Sequence, residues 1–268
     1  MAPPLPLARH LDTILQRCRA HERCVLLLDY DGTLTPIVSH PDAARLSSTM
    51  AKVLSALAKH PRYRVAIVSG RALNDLRQRV VGNGLALAGN HGLEIEAPGG
   101  CFEHPEVQRV RPHIRALAQA LQCDLAEVPG VFIEDKGATL SVHYRAVPEA
   151  WVRTVKERLN ERIRPVVQSG EVRLGTGKAV FEVRPRVPWD KGQAVRWMVD
   201  RLRQDLPPTG VLAIYLGDDE TDEDAFRVLA LTGIGIVVGS NRQRSAAHYW
   251  VESVEEVERF LRALHALN

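Results

Sequence analysis

The chain lacks any run of roughly 18 apolar residues, the length a bilayer-spanning helix needs, so no transmembrane segment is expected. Its first ten residues, Met-Ala-Pro-Pro-Leu-Pro-Leu-Ala-Arg-His, hold no basic start followed by a long apolar stretch, which argues against a secretory leader. Aromatic residues make up only 5%, and no basic stripe is interleaved with them, so the stacking surface that nucleic-acid binding wants is missing. Strong charge is missing too. A net charge of +3 is too mild to argue for a polyanion or an anionic membrane, yet it is compatible with a small anionic substrate. Cysteine is sparse: Cys18, Cys24, Cys101 and Cys123 show no Cys-x-x-Cys spacing. A zinc site or a disulfide framework is therefore not expected, and reduced packing thiols in a cytoplasmic setting are. There is no internal repeat and no low-complexity tract. With 268 residues, 45% hydrophobic and 25% charged, the chain has the make-up of a globular protein of one large domain or two modest ones.

The stretch around which the rest is organised is Val25-Leu26-Leu27-Leu28-Asp29-Tyr30-Asp31-Gly32-Thr33-Leu34-Thr35. Its apolar run suits a strand buried on both faces, as in a parallel sheet. Side chains alternate along an extended backbone, so Asp29 and Asp31 point the same way and Tyr30 the other. Gly32 tolerates a positive φ and close approach of a ligand, and Thr33 can bond amides of the turn. Two carboxylates held close together repel. A hard cation such as Mg2+ offsets this, and so does one shared proton. For the tripeptide alone, a plain Asp-initiated turn is the alternative.

Further buried strands also end in polar residues. Val65-Ala66-Ile67-Val68 runs into Ser69-Gly70-Arg71, where Ser69 either donates to a phosphoryl oxygen or caps a helix expected over 72–81. Leu85-Ala86-Leu87-Ala88 runs into Gly89-Asn90-His91-Gly92, a polar contact surface. Val211 to Leu216 leads into Gly217-Asp218-Asp219-Glu220-Thr221-Asp222-Glu223. Acids favour helix N-termini, but adjacent Asp218 and Asp219 with Asp222 one turn on go beyond capping and suit a metal. Trp189-Asp190-Lys191-Gly192 opens a helix with Asp190 as N-cap. A first-turn cation opposes the helix dipole, so Lys191 either meets an anion or is a solvated surface lysine. Helices are also expected over 5–20, from Ser47 or Ser48 to 60, and over 254–265, with strands at 235–238 and 249–251.

Residues 99–188 differ in style. A helix over 105–122 precedes a hairpin of 131–135 and 139–144, then a helix over 149–162. A second hairpin of 171–174 and 179–184 follows, joined by Gly175-Thr176-Gly177-Lys178. This is an α+β block on an antiparallel sheet, set into an α/β domain.

In a parallel sheet with right-handed crossovers, the polar strand ends share one edge and converge on one crevice. Carboxylates for a divalent ion, a hydroxyl and a lysine for phosphate, and a carboxylate nucleophile together make a phosphoryl-transfer site. The ordered set Asp29-Tyr30-Asp31-Gly32-Thr33, Ser69-Gly70-Arg71, Lys191 and Gly217-Asp218-Asp219-Glu220-Thr221-Asp222 resembles the motifs of the haloacid dehalogenase superfamily of phosphatases. Within it, Gly89-Asn90-His91-Gly92-Leu93-Glu94, Glu134-Asp135-Lys136, Ser141-Val142-His143-Tyr144-Arg145 and Glu182-Val183-Arg184-Pro185 are similar to the trehalose-6-phosphate phosphatases.

That resemblance implies a Rossmann-like α/β core, residues 1–98 and 189–268, carrying an inserted mobile α+β cap, 99–188. It implies Asp29 as nucleophile, forming an aspartyl-phosphate, and Asp31 as the acid and then the base at the leaving group. Mg2+ would be held by Asp29, the Asp31 carbonyl and Asp218, with Asp219 and Asp222 orienting those around it. Ser69 and Lys191 would hold phosphoryl oxygens, with Gly32 and Arg71 beside the substrate. The sugar would be read by Lys136, His143, Arg145, Lys178, Glu182 and Arg184, helped by Asn90 and His91. The implied substrate is trehalose 6-phosphate, supplied by a synthase upstream. Rival expectations are another sugar phosphate such as sucrose 6-phosphate, and a non-catalytic sugar-phosphate sensor or synthase partner.

Overall fold

Continuous apolar runs become the central strands, because only a strand covered on both faces has no polar side to show. The structure, a computed structural model, describes residues 3–38, 40–80, 82, 84–177, 179–204, 206–239 and 244–267. In chain order its strands are β1 (Leu5–Pro6), β2 (Arg23–Leu28), β3 (Tyr63–Val68), β4 (Leu85–Gly89), β5 (Glu94–Ala97), β6 (Gly100–Glu103), β7 (Phe132–Asp135), β8 (Leu140–His143), β9 (Val172–Gly177), β10 (Val180–Pro185), β11 (Val211–Gly217), β12 (Ile234–Val238) and β13 (Tyr249–Val251). The helices are α1 (Leu11–Ala20), α2 (Ser48–Lys59), α3 (Leu73–Arg79), α4 (Pro105–Asp124), α5 (Glu149–Gln168), α6 (Lys191–Leu202), α7 (Asp222–Leu229) and α8 (Val254–His265). They fall into two units, Met1–Phe102 with Trp189–Asn268, and Glu103–Pro188.

The first unit is built on a nine-stranded sheet of order β1-β13-β12-β11-β2-β3-β4-β5-β6. Strands from β1 through β4 in that order pair in parallel, and β5 turns antiparallel to β4. Alternation splits each central strand between two cores. Leu26, Leu28, Val65, Ile67 and Ile214 pack under α1, α2 and α8, while Val25, Leu27, Ala66, Val68 and Ala213 pack under α6 and α7. Each Val, Leu or Ile side chain taken out of water contributes on the order of 1.5–3 kcal/mol, which is why β2 sits mid-sheet and not at an edge. Ser47 caps α2 by accepting from the Met50 amide at 3.0 Å, and Asp190 caps α6 by accepting from the Gln193 amide at 2.8 Å, as their residue types imply.

Local readings shift at several places. The amino-terminal helix begins at Leu11 and not at Leu5, because Leu5–Pro6 adds to the sheet edge beside Tyr249 and Trp250. Proline is tolerated at such an edge and donates nothing to a helix. The helix expected over 72–81 is α3, bounded by extended Ala72 and Val80, and Val81 lies outside the described residues. Strands β5 and β6 add to the sheet beyond the strands expected from sequence.

The second unit has a four-stranded antiparallel sheet of order β7-β8-β10-β9. Leu140, Val142, Phe181 and Val183 face α4 and α5, whose Val110, Ile114, Leu121, Val155, Leu159 and Ile163 close that core. Gly175, Thr176 and Gly177 belong to β9 and do not form the expected connection. The chain reverses between Gly177 and Val180, which oppose each other, with Ala179 at φ +62°. Among the described residues no helix is long and apolar enough to cross a membrane.

Candidate active site

The carboxyl ends of β2, β3, β4 and β11 place the polar residues. Asp29 directly follows β2, and its amide donates to the Leu216 carbonyl at 2.9 Å, continuing the ladder to β11. The turn after it is closed by Gly32 donating to Thr35 O at 2.7 Å and by Leu34 and Thr35 donating to Tyr30 O at 3.0 Å each. The hydroxyl that bonds this turn is that of Thr35, donating to Tyr30 O at 3.2 Å. Thr33, to which the sequence gives that task, is buried with no hydrogen-bond partner for its hydroxyl among the described residues. Gly32 sits at φ +86°, and a Cβ there would lie 2.4 Å from the Asp218 carboxyl carbon. The close approach that glycine permits is thus Asp218 packing onto the turn.

Lys191, in the first turn of α6, is 3% exposed and is no surface lysine. Its Nζ donates to Asp29 Oδ1 at 2.8 Å and to Asp222 Oδ1 at 2.6 Å. Burial disfavours the ammonium, but the carboxylates of Asp222 and Asp29 more than offset it and hold Lys191 well above its ordinary pKa. Burial pushes the Asp29 carboxyl upward against the pull of Lys191, and Asp222, Asp218 and Asp219 add to that push. For Asp219, burial is outweighed by Lys191 and by the Thr221 hydroxyl and amide, which draw it down to about 2.

Asp29, Asp218 and Asp222 offer carboxylate oxygens that all lie within 4.8 Å of one another. They are not equivalent. Asp222 Oδ1 accepts from Lys191 and, at 2.6 Å, from Tyr215 OH, while its Oδ2 accepts the amides of Asp218 and Asp219 at 2.8 and 2.9 Å. A carboxylate has about four acceptor sites, and those of Asp222 are filled. It fixes Lys191 and the 218–219 backbone, which makes it the least suited of the three to hold a cation.

Ser69 is buried at the end of β3. Its Oγ accepts from the Arg71 amide at 3.2 Å, and its carbonyl accepts from the His91 amide at 2.9 Å. Asn90 and His91 are buried with φ +50° and +58°, and Asn90 Nδ2 donates to Glu94 Oε2 at 2.5 Å. Two successive left-handed non-glycine residues store backbone strain of a kind that collects at functional sites. Arg71 turns to Asp31: Nε reaches Oδ2 at 2.6 Å and an Nη reaches Oδ1 at 2.7 Å.

In the second unit, the face of the sheet opposite α4 and α5 carries a charged network. His143 Nε2 lies 2.9 Å from Glu134 Oε2, Lys136 Nζ is 3.8 Å from Glu134 and 3.7 Å from Glu182, and Arg184 donates to Glu182 at 2.7 Å. Arg145 is exposed beyond the end of β8, and Lys178 lies outside the described residues. Glu134 and Tyr215 were given no role from sequence. Glu134 shares a strand face with Lys136 two residues on, a visible signal, whereas Tyr215 reads as one more member of an apolar run.

The sequence profile of the trehalose-phosphatases matches residues 27–255. The chain belongs to that family. A Mycobacterium tuberculosis protein described as an uncharacterized glycosyl hydrolase is 40% identical over 97% of this chain, which spans only 20% of that protein. A trehalose 6-phosphate phosphatase of Zea mays is 36% identical, over 91% of this chain and 70% of its own. Among solved structures, the C-terminal domain of Candida albicans trehalose-6-phosphate phosphatase superposes with a TM-score of 0.79 at 25% identity, covering 100% of this chain and 99% of that one. The trehalose-phosphatase core is thus the α/β fold expected of the haloacid dehalogenase superfamily. Its carboxylate edge suits a hard divalent cation: the donors are oxygens, and Asp218, Asp219 and Asp222 stand near Asp29 beside the single ammonium of Lys191.

Proposed function

We propose that this chain hydrolyses trehalose 6-phosphate to trehalose and phosphate by way of an aspartyl-phosphate on Asp29. The observation that carries this reading is the arrangement of Asp29, buried yet held by Lys191 at 2.8 Å, beside the carboxylate of Asp218. An Asp29 oxygen attacks phosphorus as the sugar oxygen departs. Lys191, fixed by Asp222, and Ser69 hold the phosphoryl oxygens while charge shifts between them. Asp31 delivers a proton to the departing oxygen and later takes one from the water that releases phosphate. Mg2+ held by Asp29, the Asp31 carbonyl and Asp218 would supply charge neutralisation of the phosphoryl group. Asp219, bonded to the Thr221 hydroxyl and amide at 2.7 Å, keeps the loop that presents Asp218 in place.

The second unit, Glu103–Pro188 and thus slightly shorter than the expected 99–188, is proposed as the one that sets substrate specificity. The network of Glu134, Lys136, His143, Glu182 and Arg184 offers donors and acceptors in the mixture that sugar hydroxyls require; Asn90, His91 and Gly32 are proposed as substrate contacts of the first unit. A substrate lacking the matching hydroxyls forgoes bonds that the right one makes, which is how polar pockets discriminate. A synthase making trehalose 6-phosphate would act upstream.

The test is phosphate release from trehalose 6-phosphate beside sucrose 6-phosphate and glucose 6-phosphate, with Asp29→Asn as blank. Release from the first alone supports the reading. Comparable release from all three keeps the phosphatase and discards the substrate, and release from none returns the chain to a sensor. Stripping divalent ions with EDTA should abolish turnover, and added Mg2+ should restore it; activity that survives EDTA contradicts the metal assignment. Glu182→Ala should lower kcat/KM for trehalose 6-phosphate about 100-fold while leaving a small aryl phosphate within about threefold. Equal losses on both would remove Glu182 from sugar recognition.

A further inference from the structure

Arg71 is placed beside the substrate by the Ser-Gly-Arg resemblance, yet its guanidinium is already engaged. Nε donates to Asp31 Oδ2 at 2.6 Å, and one Nη donates to Asp31 Oδ1 at 2.7 Å and to the Pro41 carbonyl at 2.8 Å. The other Nη donates to Asp75 Oδ2 at 2.8 Å. Of its five N–H groups little remains for a phosphate. The side chain is 7% exposed and lies over the Tyr30 ring, 5.2 Å from its centroid. Its holder is held in turn: Arg79 Nε donates to both oxygens of Asp75 at 2.8 and 2.7 Å, and Arg79 also reaches the Ala44 carbonyl at 2.8 Å. This chain of contacts ties α3 and the 41–44 segment to one carboxylate.

We propose that Arg71 is a positioning residue for Asp31, with Asp75 as its support, and that it acts on the leaving group only through Asp31. The proposal rests on the phosphatase reading above. A two-pronged guanidinium fixes the plane of a carboxyl group, which a point charge cannot do. It uses one acceptor site on each oxygen and leaves another, and the Asp31 side chain is 40% exposed, so those remaining sites open outward. In the first half-reaction a proton carried there passes to the sugar oxygen as the sugar–phosphorus bond breaks and the Asp29–phosphorus bond forms. In the second, the oxygen of water bonds to phosphorus, its proton passes to Asp31, and the Asp29–phosphorus bond breaks.

A sugar alkoxide needs that proton to leave, whereas 4-nitrophenolate does not. Values of kcat/KM report only steps through departure of the leaving group, so the two substrates separate acid catalysis from everything else. Arg71→Met is expected to lower kcat/KM for trehalose 6-phosphate about 100-fold, the usual scale of general acid catalysis, and to change it less than about threefold for 4-nitrophenyl phosphate. Arg71→Lys, which keeps the charge without the fork, should recover only part of the loss. Asp75→Asn should produce the same selective defect on a smaller scale, about tenfold, and serves if the methionine variant does not fold. On trehalose 6-phosphate alone, Arg71→Met introduced into Asp31→Asn should add less than about threefold, since the group it positions is gone. Equal losses on both substrates, or full additivity with Asp31→Asn, would overturn the proposal while leaving the phosphatase intact. A wild-type chain inactive on every phosphate would overturn the phosphatase reading first, and this one with it.

Discussion

Asn at position 29 is expected to reduce phosphate release by at least about 10^4-fold, because removing a nucleophile leaves only the contribution of positioning and electrostatics. The substitution is close to isosteric, and the amide oxygen can still accept from Lys191, so the loss would report chemistry and not collapse of the site. Stability should hold or rise slightly. Burial pushes Asp29 up, and the neighbouring carboxylates add to that push, so removing its charge relieves a burial cost that Lys191 only partly offsets. Two measurements check this: steady-state turnover, and mass spectrometry of acid-quenched protein, which should find a phosphorylated Asp29 peptide in the wild type and none in the variant. Residual activity above about one hundredth of wild type, or phosphate recovered on Asp31, would move the nucleophile.

The residues of that edge could be read from sequence because each follows an unbroken apolar run. Val25–Leu28, Val65–Val68, Leu85–Ala88 and Val211–Leu216 leave little choice but buried strands, and a strand that ends abruptly in Asp, Ser or Asn shows where the edge lies. Positions with a partner far along the chain were less legible. Lys191 can be read as facing an anion, but that one of its partners is Asp222, whose other acceptor sites take Tyr215 and two amides, depends on how α6 and α7 pack. The Ser-Gly-Arg motif puts Arg71 beside the substrate, but its bonds to Asp31, Asp75 and the Pro41 carbonyl depend on how α3 and the 41–44 segment meet the turn after β2. The second hairpin misled for a local reason. Gly175-Thr176-Gly177 looks like a turn, but glycine also fits a strand paired closely with its neighbour, and the reversal comes two residues later.

Lys191→Met separates folding from catalysis. With the ammonium gone, Asp29 and Asp222 face each other buried and unpaired, and breaking such a pair costs on the order of 3–5 kcal/mol. Urea unfolding at neutral pH should show it. The sign with pH follows from the direction of the shifts. Burial already raises both carboxyls while Lys191 pulls them down, so its loss raises them further above their unfolded values. The unfolded chain then gives up protons first as pH rises, so the deficit should grow from pH 5 to pH 8, by about 1.4 kcal/mol per pH unit at most for each of the two carboxyls. Adding Asp222→Asn removes one of the stranded charges while an amide can still serve Tyr215 and the 218–219 backbone, so the double variant should regain much of the stability. It should regain none of the activity, which falls about 10^2–10^3-fold or more because the phosphoryl group has lost its buried cation. A double variant no more stable than Lys191→Met would contradict the charge argument. A single variant keeping more than about a tenth of wild-type kcat would take Lys191 out of the phosphate site.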